Sequence, residues 1–328
     1  MSTHFVPAAD EVWRLQRGVD AECRLFQSIA NQGHYRARGG TRQGIYVCSP
    51  GGKLLASANT LDADRVLTML REALHEWDEL PTRERRLPAD VDIAPSHRWE
   101  QSYPTGGLVL VSTNRDLPID GDPRAAHVGR WNSDHVWYSH EEARAWLPVD
   151  PRPGNMHRVP DHLAHRLARF HLVDNVRGQT LPFAAKEVRR ARLDVEVVDR
   201  TGPTVRVKIS GSTEVIADGP WLMGDTHWKP PGEYPRGMGA CLLGYATFDL
   251  QKGKFTQFRL IALGTRWGST QNNARRNDAG PAPIGFLFTL GATRNVDRVA
   301  PAFIDVYNAD WVVHPPSPPS VPDPQRGG

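Results

Sequence analysis

The chain has 328 residues, of which 39% are hydrophobic and 23% are charged, as in an ordinary soluble globular protein. This length predicts two domains, because a domain has roughly 100–200 residues. The formal charge of +3 is small and the basic residues occur in short clusters, which disfavours nucleic-acid binding. No run of about 18 apolar residues occurs, so no membrane-spanning segment is predicted.

The amino terminus and the cysteine count predict the cellular compartment. The first residues, MSTHFVPAADEVWRLQRG, lack the basic and apolar regions of a secretory signal. Three cysteines in a long chain do not make a disulfide framework. We therefore predict a reducing, cytoplasmic setting.

The first 80 residues predict a helix, a hairpin and a second helix. Asp20 is a suitable N-cap, and apolar residues at helical spacing predict a helix from Ala21 to Gln32. The runs QGIYVCS and KLLASA flank the turn SPGG and predict an antiparallel hairpin. The buried face of the second helix is predicted to contain Val66, Leu67, Leu70, Leu74 and Trp77.

This order of elements resembles the later part of a thioredoxin-like domain, over roughly residues 10–80. The first helix stands where that family carries its active-site helix, and the resemblance implies a trimmed thioredoxin-like α/β domain. The sequence departs from the family in two places. Cys23 has no second cysteine three residues on, and Thr41 and Arg42 stand where the family has a cis-proline.

Two interpretations of Cys23 remain open. In the first, the Cys23 thiolate reacts with a small thiol, a peroxide or a protein partner, Arg24 or Arg42 stabilises it, and an external thiol or Cys48 resolves the intermediate. In the second, Cys23 faces the core, as unpaired cysteines commonly do. Cys48 and Cys241 are predicted to be core residues.

The remaining sequence predicts a second, larger domain. Residues 81–96 are rich in Pro, Arg, Glu and Asp and are predicted to link a domain of residues 1–80 to one of residues 97–313. Ser139 and Glu142 form a capping box, and a further helix begins near Pro160. Beyond Asn175, alternating runs on either side of the turns RTGP and QKGK predict two hairpins, and FIDVY, at residues 303–307, is a further strand candidate. Together they predict a mostly antiparallel sheet with this helix packed against it. Residues 314–328 are predicted to be a disordered proline-rich tail, and the fold class is α+β.

Four histidines lie close together, but their spacing matches no recognised metal motif. The segment DHLAHR differs from the H-E-x-x-H pattern of zinc proteases. We therefore predict surface histidines, no metal and no cofactor; the four are His157, His162, His165 and His171.

Two polar stretches, residues 171–180 and 266–283, adjoin strongly apolar segments. In one interpretation they line a cleft in which guanidinium groups hold an anionic or polar ligand. In the other they cap the rim of the sheet by satisfying buried backbone groups. The candidate ligand-binding residues are Asp174, Asn175, Arg177, Asn273, Arg275, Arg276 and Asp278.

The sequence thus predicts one of two functions and leaves open whether the protein is an enzyme. One is a thioredoxin-like protein with single-cysteine thiol or peroxide oxidoreductase activity. The other is a non-catalytic protein that binds a ligand or partner through the polar loops of its β domain. Neither a nucleotide-binding glycine motif nor the nucleophile motif of serine hydrolases is present.

Overall fold

The computed structural model describes residues 4–8, 12–35, 41–87, 103–119, 130–178, 180–218, 235–270, 273–291 and 298–302. These residues form two compact units, a smaller unit within residues 1–98 and a larger unit within residues 99–318. Both contain helices and antiparallel strands, so the chain is of the α+β class, as predicted. Residues 88–96 of the predicted linker, a strand predicted at residues 303–307 and the tail at residues 314–328 lie outside the described residues.

The smaller unit contains the predicted helix, hairpin and helix, preceded by one more helix. The strands pair in an antiparallel two-stranded sheet. The elements are α1 (Val12–Arg17), α2 (Ala21–Ala30), β1 (Ile45–Cys48), β2 (Leu54–Ala58) and α3 (Ala63–Glu79).

Acidic N-caps and one apolar stripe explain the two longer helices. The carboxylate of Asp20 accepts a hydrogen bond from the first turn of α2, and that of Asp62 does the same for α3. The buried stripe of α3 contains Met69, Leu70 and Ala73, which pack against the hairpin. Leu67, predicted to be buried, is 45% exposed, because the stripe that faces the hairpin lies further around the helix.

The larger unit is built on one eight-stranded antiparallel sheet with the strand order β4-β3-β10-β9-β8-β7-β6-β5. Four long neighbouring strands form a meander at its centre, including the two predicted hairpins. The strands are β3 (Leu108–Asp116), β4 (Trp131–Tyr138), β5 (Met156–Arg158), β6 (Val188–Thr201), β7 (Thr204–Ala217), β8 (Arg236–Asp249), β9 (Lys254–Gly268) and β10 (Ala282–Leu290).

One face of this sheet, the inner face, carries the core of the larger unit. Every second residue of the long strands is buried there, for example Leu242 and Leu260. Two helices pack onto the strands, α4 (His140–Arg144) and α5 (Asp161–Arg166), and α5 continues into a π-helical turn, Leu167–His171. The capping box predicted at the start of α4 is present. None of the described helices has the length and apolar character needed to cross a membrane.

Candidate functional site

Cys23 lies in the first turn of α2 and is completely buried. Its backbone N–H donates to Asp20 Oδ1 at 2.9 Å, and its Sγ donates to Asp20 Oδ2 at 3.3 Å. Only a protonated thiol donates such a hydrogen bond, so this contact favours the thiol over the thiolate. Both the burial and the acidic partner therefore work against a nucleophilic Cys23.

The two arginines predicted to stabilise a thiolate bind oxygen atoms instead. Arg24 is exposed, and its guanidinium donates to the carbonyl oxygen of Val19. The guanidinium of Arg42 donates to Asn31 Oδ1 at 3.1 and 3.2 Å and to a backbone carbonyl near the end of α1. These contacts tie the loop before the hairpin to α1 and α2.

All three cysteines are free thiols. Cys48 and Cys241, predicted to be core residues, are both exposed, so these two predictions are wrong. Cys241 faces outward because β8 alternates and its neighbour Leu242 occupies the inner face. Protein atoms that shield the Cys48 thiol from part of the solvent raise its pKa.

The two polar loops meet in one buried cluster of charges, which we call the ion network. It contains four of the predicted residues, and two more come from the ends of β3 and β9. Each of its side chains is at most 12% exposed. Its members are Asp116, Asp174, Arg177, Arg266, Arg275 and Asp278.

Arg275 is the centre of the ion network and is fully buried. It binds Asp116 through two N–H groups at 2.6 and 3.1 Å, and Asp174 through two more contacts at 2.7 and 2.8 Å. It also donates to Asp278 at 3.3 Å. Two forked pairs on one guanidinium fix the relative positions of β3 and both polar loops.

The other two arginines complete the ion network. Arg177 bridges Asp116 at 2.7 Å and Asp278 at 2.8 Å. Arg266 donates to the Asp278 carboxylate at 2.8 Å and to its backbone carbonyl at 2.6 Å. Three guanidinium groups and three carboxylates thus balance in formal charge. The network therefore has no excess positive charge with which to hold an anion.

Contacts within the network change the pKa values of Asp116 and Arg275. Burial alone would raise the pKa of Asp116, but the hydrogen bonds and charges of Arg275 and Arg177 outweigh it and hold that pKa below its usual value. The carboxylates raise the pKa of Arg275 although burial opposes them. Asp116 and Arg275 therefore carry their charges at neutral pH.

The remaining predicted loop residues have different environments. Asn273 is buried, and its Oδ1 accepts from the backbone N–H groups of Thr270 and Arg275 at 2.9 and 3.3 Å. Asn175 is buried and accepts a hydrogen bond from the side chain of Asn114 on β3. Arg276 is exposed. The two asparagines thus satisfy backbone and strand groups, which matches the capping interpretation.

The alternation of β3 and β9 indicates the two network residues that lie outside the candidate set, Asp116 and Arg266. Arg266 follows Leu260 and Ala262 in the inward phase of β9. Asp116 follows Leu108 and Leu110 in the inward phase of β3. A charged residue in the buried phase of a strand requires a buried partner.

The four histidines do not converge on one point. The ring of His157 bonds to the carbonyl oxygen of Ala145 at 2.9 Å, and His162 is exposed. His171, predicted to lie on the surface, is buried, because all five residues of the π-helical turn Leu167–His171 are buried, and it bonds to Asp134 at 2.9 Å. Within the described part of the chain, no group of three or more His, Cys, Asp or Glu side chains is arranged to hold a metal ion.

The outer face of the eight-stranded sheet carries an apolar surface at its centre, which we call the outer-face cluster. Its five largest side chains are between 37% and 56% exposed. Leu243, Ile261 and Leu287 lie side by side across three neighbouring strands. The members of the cluster are Cys241, Leu243 and Tyr245 of β8, Ile261 and Leu263 of β9, and Leu287 of β10.

Polar and charged residues border the outer-face cluster on β7 and β9. Ser210 and Ser212 on β7 lie beside Leu243 and Cys241, and Tyr245 lies between Lys208 of β7 and Arg259 of β9. On β6, Arg192 binds Asp194 at 2.6 Å, and Glu196 lies 4.0 Å from Lys208. An apolar centre with a polar rim is the usual composition of a protein–protein interface.

Comparisons with protein-family models, with curated proteins and with solved structures found no match to this chain.

Proposed function

We propose that this protein is a non-catalytic binding protein and that the outer-face cluster of its larger unit is a protein-binding surface. The observation that carries the proposal is the exposure of five large apolar side chains on three adjacent strands. Scattered apolar residues are normal on a surface, whereas the largest contiguous patch, about 300–600 Å² on a typical monomer, is often functional. The cluster exposes on the order of 500 Å².

The two sites predicted from the sequence, Cys23 and the polar loops, support catalysis and ligand binding less well than the outer-face cluster supports protein binding. The Cys23 sulfur is buried and donates its hydrogen to Asp20, whereas a thiol enzyme needs an accessible thiolate. The loop arginines Arg177 and Arg275 are already saturated by carboxylates. We infer that the ion network stabilises the fold and that binding occurs on the sheet.

The rate of iodoacetamide labelling of each cysteine in the native protein tests this proposal. We expect Cys241 to react readily, because it lies in the outer-face cluster, and Cys48 to react faster as the pH rises through its raised pKa. Cys23 should remain unlabelled until denaturant is added. The labelling is measured in dilute protein by peptide mass spectrometry, with Cys23→Ala as the control for peptide assignment.

Two results would contradict the proposal. Rapid labelling of Cys23 at a pH below about 8.5, where an ordinary thiol ionises, would favour the thiol enzyme over the binding protein. A Cys241 that stays unlabelled in a dilute, monomeric native protein would mean that the chain itself covers the cluster, and the binding surface would be lost.

A further inference from the structure

We infer that the partner bound by the outer-face cluster is a second copy of this chain, so that two larger units pack sheet against sheet in a homodimer. This inference rests on the proposed function, because it names the occupant of the same surface. Three features support this occupant over others: the position of the cluster in the sheet, its relief and its charge.

The position of the cluster requires a partner that packs on the face of the sheet. β8, β9 and β10 are each hydrogen bonded to strands on both sides. A peptide therefore cannot add to them as a further strand, which is the common way for a sheet to bind an extended segment. A second sheet does fit, since stacked sheets pack about 10 Å apart with interdigitating side chains.

The relief of the cluster is uneven. Leu243 and Leu263 are both more than half exposed, whereas Gly239, two residues before Cys241 on β8, leaves open space on the same face. A two-fold axis brings the same surface from both copies together, so the leucines of one copy can occupy the space beside Gly239 of the other.

The charge around the cluster also permits self-association. On β6 and β7, Arg192 pairs with Asp194 and Lys208 with Glu196, and Arg259 of β9 adds a positive charge beside Tyr245. Both signs of charge therefore border the cluster, so that positive groups of one copy can face carboxylates of the other. An interface of standard size buries ~800 Å² per partner, of which roughly 60% is apolar, and this apolar share is comparable to the ~500 Å² that the cluster exposes.

Sedimentation velocity of the full chain over a range from about 0.1 to 100 μM tests the inference. We expect a species of twice the 36.6 kDa chain mass at the upper concentrations. Leu243→Lys and Leu263→Lys should each weaken dimerisation by ~100-fold or more, because each places an unpaired charge at the centre of the interface. Val198→Lys is the matched control, since Val198 is also an exposed apolar strand residue but lies on β6, outside the cluster.

A second measurement uses Cys241 as a reporter within the cluster. We expect dimerisation to protect Cys241 from iodoacetamide and Leu243→Lys to restore its labelling at the same protein concentration. The near-UV circular dichroism of Leu243→Lys should equal that of the unchanged chain, which establishes that the variant is folded.

The outcomes separate this inference from the proposed function. A chain that stays monomeric at ~100 μM with Cys241 labelled overturns the second copy as partner and leaves the binding surface intact. A dimer that survives both lysine substitutions also overturns it, since its interface lies elsewhere. A monomer with Cys241 protected overturns the proposed function itself.

Discussion

Each charged side chain of the ion network has at least two partners of opposite charge, and this arrangement decides what the network does. Arg275 contacts all three carboxylates. Taking such charges out of water costs several kcal/mol per ion, a cost that is offset only while every partner remains in place. The network therefore contributes to the fixed arrangement of the loops, and removing one member leaves buried charges unpaired.

Single substitutions at the adjacent residues Arg275 and Arg276 test the structural role of the ion network. Arg275→Ala should lower the free energy of unfolding by ~3–5 kcal/mol, because it leaves two carboxylates buried without their main partner. Arg276→Ala should change it by less than ~0.5 kcal/mol, since Arg276 is exposed. Both values are obtained from urea unfolding. Equal effects of the two substitutions would contradict the structural role of the network.

At the scale of elements, the alternating strands were predicted correctly and the less regular ones were not. β6 to β9 alternate between apolar and polar residues around short turns, so their local sequence is sufficient to predict them as strands. β4, with the sequence WNSDHVWY, has four polar residues in succession and acquires its strand structure from pairing with β3. The polar composition of the two loops was enough to predict the candidate loop residues. The contact between Asp116 and Arg275 was not predictable from local sequence, because the two residues are 159 positions apart.

Close approach between neighbouring strands leads to a prediction within β8. A Cβ atom at Gly244 would lie 2.3 Å from the Arg259 carbonyl oxygen of β9, and both groups belong to paired backbone. Gly244→Ala should therefore destabilise the larger unit by ~1–3 kcal/mol, the usual cost of overpacking.

Gly239→Ala in the same strand is the control for Gly244→Ala, because a Cβ atom there meets nothing within 4 Å. It should be neutral or stabilising by up to ~1 kcal/mol, since alanine reduces the entropy of the unfolded chain. Urea unfolding at submicromolar protein concentration measures both variants without a contribution from self-association. A Gly244→Ala variant as stable as Gly239→Ala would mean that β8 and β9 are further apart than described.

At the scale of the whole molecule, buried carboxylates give the larger unit its pH dependence. Besides Asp116, Glu142 on α4 is buried and binds Arg166 through contacts of 2.6 and 2.8 Å. Burial alone would raise the pKa of Glu142, but the hydrogen bonds and charge of Arg166 outweigh it and lower that pKa. A carboxylate with a lowered pKa in the folded state adds stability above its unfolded pKa of about 4.

We therefore expect the stability of the larger unit to be constant near neutral pH and to fall as the pH drops from about 5 through the lowered pKa values, because the unfolded state then binds more protons. Glu142→Gln should be less stable at pH 7 and should have a shallower loss of stability between about pH 5 and 3, since one linked proton is removed.

Glu141→Gln is the matched control, because Glu141 precedes Glu142 on α4 but is exposed, and it should keep the slope of the unchanged chain. Urea unfolding at each pH, followed by the near-UV circular dichroism of the buried Trp137 and Trp146, measures the slope. If Glu142→Gln retains the full acid slope while Glu141→Gln does not, the pH dependence arises from the helix surface, and the buried pair with Arg166 is not its source.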